Sequence, residues 1–433
     1  MEEILARAKK VAESAEVFAV SSEETPVHFE ANRLKSIQSK HSSSVALRII
    51  KNGRIGYAAA SGVVDAERLV SDAVETAQFG MTARFEFPSS TTYPKIEVLD
   101  SATGDVSVEN LVELGWKMIS AVTAHTPEIV CDAGAGRSVV SISIMNSRGG
   151  QARYRKTTFG LGISGTLISG TDMLFVGEGQ ESCHPLSDTK SVTDVVIHQL
   201  ELARSRAAVP SGELPVILTP DGVASAIIPS LMAAFNGKLV LEGASPIGDR
   251  LGQPVFDKKF SMWDDPTIAF RPHSRPCDDE GVPSQQTALV REGTVASFLY
   301  DLQTAGLAKA RSTGNGNRVR GGIVAPSPSA FIIAAGEASF DEMVQDIKEG
   351  LVVEQLMGAE QGNILGGDFS GNVLLGFKVE SGKIVGRVKD TMVSGNVYQA
   401  LKDIGAMGKE AKWVGGALHI PAIYIPRLSV ASR

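Results

Sequence analysis

The chain has 433 residues, of which 43% are hydrophobic and 21% charged, an ordinary globular balance with length for two or three cores. Lys and Arg number 42 against 49 Asp and Glu, and a formal net charge of −7 argues against a dedicated nucleic-acid surface. No apolar run reaches the roughly 18 residues of a membrane-spanning helix, and the N-terminal segment lacks the apolar stretch of a signal peptide.

Three cysteines (Cys131, Cys183 and Cys277) are dispersed, odd in number and never in a Cys-x-x-Cys pair, the usage of free thiols in a reducing compartment. A cytoplasmic location is the resulting expectation. One local basic stretch, Arg148 to Lys156, reads as the solvated face of a strand pair.

In chain order, an amphipathic helix is predicted over Glu2 to Ser14, then strands over Ala15 to Ser21 and Pro26 to Ala31. Arms at Ser44–Lys51 and Arg54–Ala60 flank Asn52-Gly53, a strong hairpin signal because a type I′ turn needs positive φ at both central positions. The apolar spacing of Leu69, Val70, Ala73, Val74 and Ala77 predicts a helix from Asp65 to about Phe79. Phe87 to Ser101, with Pro88 and Pro94, reads as an exposed connector.

A helix near Val108 to Ala124 then precedes strands between Ile129 and Gly179. Over Val140 to Ile144 apolar residues alternate with Ser141 and Ser143, the pattern of a half-buried strand. A helix from Thr193 to Ala208 closes this unit at Val209-Pro210-Ser211-Gly212. The expected organisation is a region over 1–100, a central region over 101–210 and a C-terminal region over 211–433.

The C-terminal region opens with a buried strand, Leu214 to Leu218, which passes through Thr219-Pro220-Asp221 into an apolar helix reaching Asn236. Pro220 suits the first helical turn and Asp221 can cap open N–H groups. Pro229 should kink or split that helix, since its ring clashes with the preceding turn and its nitrogen donates no bond. Ile227, Ile228, Leu231 and Met232 should pack beneath a sheet.

Beyond it come short β runs: Thr287–Leu299 around Glu292-Gly293, Ala330–Ala334, Leu351–Leu356, Val373–Val379, Lys383–Val388 and Trp413–Ile425. Helices are expected at Asp301–Ala310, Ser339–Lys348 and Asn396–Ile404. The fold class is α+β: N-terminal and central α/β regions, then a mainly antiparallel β domain with a few helices.

Several segments in order carry a family resemblance: Cys277-Asp278-Asp279-Glu280-Gly281-Val282, Leu289-Val290-Arg291-Glu292-Gly293, Arg311-Ser312-Thr313-Gly314, Gln355-Leu356-Met357-Gly358, Gly367-Asp368-Phe369-Ser370 and Val393-Ser394-Gly395-Asn396. Together they resemble the TldD/PmbA family, some of whose members are named modulators of DNA gyrase.

In the metalloprotease branch of that family the apolar helix carries His-Glu-x-x-x-His, which sets two imidazoles and a carboxylate on neighbouring turns to hold zinc and activate water. The corresponding positions here fall at about Ala226, Ile227 and Leu231, none of which can ligate a metal. That branch also uses a late cysteine, and no Cys follows Cys277. The resemblance therefore points to the PmbA (TldE) branch, with no catalytic or metal-binding residue expected in this chain.

It further implies a TldD-like partner that supplies zinc, unfolded peptide as substrate, and a possible homodimer when the chain is alone. Extended peptide could add to a sheet edge, for which the Gly-rich strands around Gly366 to Gly376 are candidates. The rival readings are an autonomous metallopeptidase and a non-proteolytic regulatory protein acting on gyrase.

Other clusters carry less. His273 and Cys277 to Glu280 mix soft and hard ligands, but the Pro-rich loop around them favours a structural turn with Asp278 or Asp279 capping backbone N–H groups. Glu181, Cys183 and His184 form a second group, in which neighbours on a strand point to opposite faces. Gly177-Glu178-Gly179 and Gly314-Asn315-Gly316 do not complete a dinucleotide fingerprint, and Gly162-Ile163-Ser164-Gly165 misses a nucleophile elbow because Thr166 holds its last position.

Overall fold

The computed structural model describes residues 1–319 and 322–432. The N-terminal half contains α1 (Glu2–Ala8), β1 (Ser14–Glu30), β2 (Arg33–Ile37), β3 (Lys40–Lys51), β4 (Arg54–Ser61), α2 (Ala66–Ala77), α3 (Ser101–Asp105) and α4 (Val108–His125). It continues through β5 (Val130–Asn146), β6 (Gln151–Ser169), β7 (Asp172–Ser182) and α5 (Lys190–Leu202).

These strands form one antiparallel sheet in the order β4-β3-β1-β5-β6-β7, with β2 also on β1. The 100/101 division thus runs through a single sheet. The Asn52-Gly53 hairpin has φ of 50° and 68°, the positive pair that its sequence demands. Asp65 caps α2 by accepting from the Glu67 and Arg68 N–H groups.

Two local readings change. The initial helix stops at Ala8, and the strands expected on either side of Pro26 are one strand. Pro26 is tolerated because β1 changes neighbour there: its β3 ladder ends at Glu24 and its β2 ladder begins at Val27, so no partner needs the missing N–H.

The C-terminal half comprises β8 (Gly212–Leu218), α6 (Pro220–Ala226), α7 (Ile228–Ala234), α8 (Gly237–Leu241), β9 (Met262–Asp264), β10 (Thr287–Arg291), β11 (Thr294–Val295), α9 (Leu302–Ala308), β12 (Gly316–Arg318), β13 (Val324–Pro326) and β14 (Phe331–Ile333). Then follow α10 (Phe340–Gln345), β15 (Glu349–Met357), β16 (Asp368–Glu380), β17 (Lys383–Arg387), β18 (Thr391–Asn396), α11 (Val397–Ala400), β19 (Ala406–Val414) and β20 (Leu418–Ser432).

The pairings β20-β18-β16-β15-β8 close on themselves through β8–β20. The ladders are antiparallel except β15–β8 and β14–β20. The α+β class therefore holds. The stretch read as one strand over Trp413–Ile425 is a hairpin that turns at Gly415 and Gly416, both at positive φ. The Gly366–Gly376 segment enters β16, an interior strand between β15 and β18, so it offers no free edge.

The helix after β8 is split. Thr219, not Asp221, caps α6, and the break into α7 falls at Ile227 ahead of Pro229. Ala226, Ile227, Ile228 and Leu231 join one core with Leu218, Val353, Phe369 and Ile423. Met232 departs from the expectation: it is 38% exposed, because the break rotates it off the buried stripe.

A second core joins the halves, packing Phe29, Met118, Phe159 and Leu161 with Ile217, Val352, Leu375 and Phe377. A buried ion network adds to it: Arg48 pairs with Glu16 and Glu280, and Arg318 pairs with Glu16. The Arg48 guanidinium lies over the Phe85 and Phe87 rings at 4.7 and 5.0 Å. Removing one partner of such a pair strands a buried charge, which costs about 3–5 kcal/mol.

Candidate functional site

The acidic turn is a bracket between the two halves. Asp278 accepts from the backbone N–H groups of Glu280, Val282 and Gly316, each at 2.9 Å. Asp279 accepts from Arg318 N–H at 2.8 Å, and Glu280 binds Arg48 and accepts from Leu302 N–H at 2.7 Å. All three carboxylates are committed to these donors. Cys277 is fully buried, and burial raises its thiol far above the usual range, so it holds its proton. His273 stands apart as an exposed residue.

Cys183 and His184 also separate. The Cys183 carbonyl accepts the Thr103 and Thr157 hydroxyls at 2.7 and 3.0 Å while its thiol is buried. His184 Nδ1 meets Asp100 Oδ2 at 2.7 Å, and its ring stacks on Phe270. Ala226, Ile227 and Leu231 are 2%, 0% and 0% exposed. They supply no donor atom, so they do not fit a zinc ion. Among the described residues no three His, Cys, Asp or Glu side chains converge on a point that could hold a metal.

What the structure does assemble is a cleft of about 700 Å³ between the two halves. Its floor is the sheet face opposite α4 and α5. Phe159, Leu161 and Ile163 turn into the core, so their neighbours Gly160 and Gly162 turn outward. Register then aligns Gly134 with Gly162, Gly162 with Gly179, and Gly136 with Gly160, leaving bare backbone across three strands. A second hollow of about 480 Å³ continues over His28, Gly134, Gly162 and Gly177.

Internal packing accounts for Gly162 and Gly136, where a Cβ would press on Glu178 O at 3.1 Å and Pro26 Cα at 3.3 Å, but not for the other floor glycines. A Cβ on Gly134, Gly160 or Gly179 would meet nothing of this chain closer than 3.5 Å. Elsewhere packing does explain glycine: a Cβ on Gly165 would lie 2.5 Å from Ile129 Cδ1, and one on Gly115 would lie 2.1 Å from the Phe29 ring. Glycine inside a strand costs stability, and at Gly134, Gly160 and Gly179 that cost buys no packing within the chain.

Two strand edges face this space. β7 ends its sheet, and β19 pairs with β20 as its one partner strand, its other side meeting only Gly336 to Ala338 over Met407 to Lys409. The Gln199 amide closes part of the β7 edge, accepting from Gly177 N–H at 2.9 Å and donating to its carbonyl at 3.3 Å. Further along, among the described residues, the outward N–H and C=O of Glu181 take no partner. Trp413 forms a wall, with the Arg271 guanidinium 4.4 Å from its ring centroid. At the α6 end Lys412 bridges Glu178 and Asp221, the latter at 3.2 Å. Burial works against the Lys412 charge, but these two carboxylates outweigh it and raise its pKa.

Of the residues singled out from sequence, Glu181, Asp221, Gly162 and the Gly177–Gly179 pair belong to this cleft and its continuation. A signal for the rest was present. Gly134-x-Gly136, Gly160-x-Gly162 and Gly177-x-Gly179 each repeat with the period of a strand, so each pair shares one face.

Comparison with known proteins matches residues 211–432 to the PmbA/TldA metallopeptidase C-terminal domain and residues 15–77 to domain 1 of the same family. The uncharacterized protein MJ0231 of Methanocaldococcus jannaschii is 25% identical over 411 residues, covering 93% of each chain. The metalloprotease PmbA homolog of Haemophilus influenzae is 24% identical over 93% of this chain and 89% of its own length. The crystal structure of TldE from Thermococcus kodakarensis superposes with a TM-score of 0.90 at 21% identity, covering all of both chains.

Proposed function

This chain belongs to the TldD/PmbA family, and we propose that it is a PmbA-like, non-catalytic subunit that holds unfolded peptide for a TldD-like, zinc-bearing partner. The glycine-floored cleft carries this reading. Its floor is left open at Gly134, Gly160 and Gly179, which no close contact within the chain requires, and extended polypeptide can pair with unpaired strand edges through main-chain bonds with little sequence preference. The absence of donor atoms at Ala226, Ile227 and Leu231 supports assignment of the hydrolytic step to the partner, since a hydrolytic zinc needs at least three protein ligands and an open position.

The test is reconstitution. An unstructured peptide is incubated with this chain, with a TldD-like chain, and with both. The expected result is no cleavage by this chain alone and faster cleavage by the mixture than by the partner alone. Chelator-sensitive cleavage by this chain alone would overturn the assignment.

A further inference from the structure

We propose that the glycine-floored groove selects cationic segments: an extended polypeptide bearing Lys or Arg, its side chains reaching carboxylates that frame the bare backbone. This rests on the peptide-holding reading above and adds the chemistry of what is held. Three carboxylates stand on the same face as the glycines. Glu181 pairs in register with Gly160, Asp132 with Ser164, and Glu24 with Ser138 in the row beyond Pro26 and Gly136. From strand and residue spacings Glu181 lies roughly 16 Å from each of the other two, about four to five residues of extended chain, and Asp132 and Glu24 lie roughly 20 Å apart.

None of the three closes an ion pair within 4.0 Å among the described residues, Lys40 standing across from Glu24 in register. Glu24 accepts only the Ser22 hydroxyl at 3.2 Å, and Asp132 accepts the Ala31 N–H at 2.9 Å. Glu181 turns toward the Gly416 end of the cleft, where its carboxylate would lie 2.7 Å from a Cβ on that glycine. The cations of the cleft do not offset them. Lys412 is already held by Glu178 and Asp221. Arg137 stands in register with Phe159, in the row that faces the core rather than the groove. Arg271 is held over the Trp413 ring at the wall, and Lys40 stands at the outer margin. Over the glycine rows themselves the charged side chains are carboxylates, and a polyanionic segment would meet repulsion there.

The experiment is fluorescence anisotropy on the full chain at low ionic strength. It uses two labelled, unstructured decapeptides of Gly, Ser and Leu that differ only in carrying two Lys or two Glu four residues apart. The Lys peptide should bind about three- to tenfold more tightly, the scale of two exposed ion pairs. The preference should fade with added salt and collapse in a Glu24→Gln, Glu181→Gln double variant, whose circular dichroism and melting confirm folding. Equal binding of the two peptides would overturn the charge selection while leaving the peptide-holding reading intact. Binding of neither peptide would overturn both.

Discussion

Replacing Gly134, Gly160 and Gly179 together by alanine tests whether the groove exists for an outside ligand. The three new methyl groups would sit 3.6 Å from Val27 O, 3.6 Å from Glu181 Cγ and 3.5 Å from Leu161 O, ordinary contact distances that require no movement. Each substitution lowers the conformational entropy of the unfolded chain, worth about 0.5–1 kcal/mol where the backbone is compatible. The three residues are not direct cross-strand partners, since Gly134 and Gly179 both face Gly162 while Gly160 faces Gly136 and Glu181. Their effects should therefore sum, to roughly 1.5–3 kcal/mol. Urea unfolding followed by circular dichroism should show a later midpoint, while the labelled Lys peptide binds more weakly. A Gly165→Ala control should move the other way by about 1–3 kcal/mol, because its methyl would overlap Ile129. A triple variant less stable than the parent would show that the sheet itself needs these glycines. Unchanged peptide binding in a stabilised variant would show that the floor is not the ligand's space.

Leu231→Ala, at a fully buried position of α7, should cost about 2–5 kcal/mol through the cavity it leaves, visible as a lower melting temperature. Asp264 is a test by pH. Burial pushes its carboxyl up to about 6, although the Asn315 amide and the Ser329 and Ala330 N–H groups favour the charged form. The folded state then holds a proton that the unfolded state releases near pH 4, so stability should fall as pH rises from about 4 to 6 and level off above, by at most roughly 3 kcal/mol. Asp264→Asn should flatten that slope by up to one proton, measured by equilibrium unfolding across the range.

Local rules decided much of this molecule before any long-range contact. Positive φ at Asn52-Gly53, the helix start at Asp65 and the break ahead of Pro229 each follow from the geometry of a few adjacent residues, and each is found where the sequence places it. The absence of ligand atoms at 226, 227 and 231 is likewise a property of residue identity alone. What sequence could not determine was pairing. Register is set by ladders between residues far apart in the chain, and only those ladders turn three separate Gly-x-Gly pairs into one floor. The hairpin at Gly415 and Gly416 was lost for the same reason: the apolar run after Trp413 looks continuous until the β19–β20 ladder folds it back. Charge behaves alike. Glu16, Arg48, Glu280 and Arg318 are unremarkable in sequence, and they become a buried bracket only because packing removes the water that would otherwise screen them.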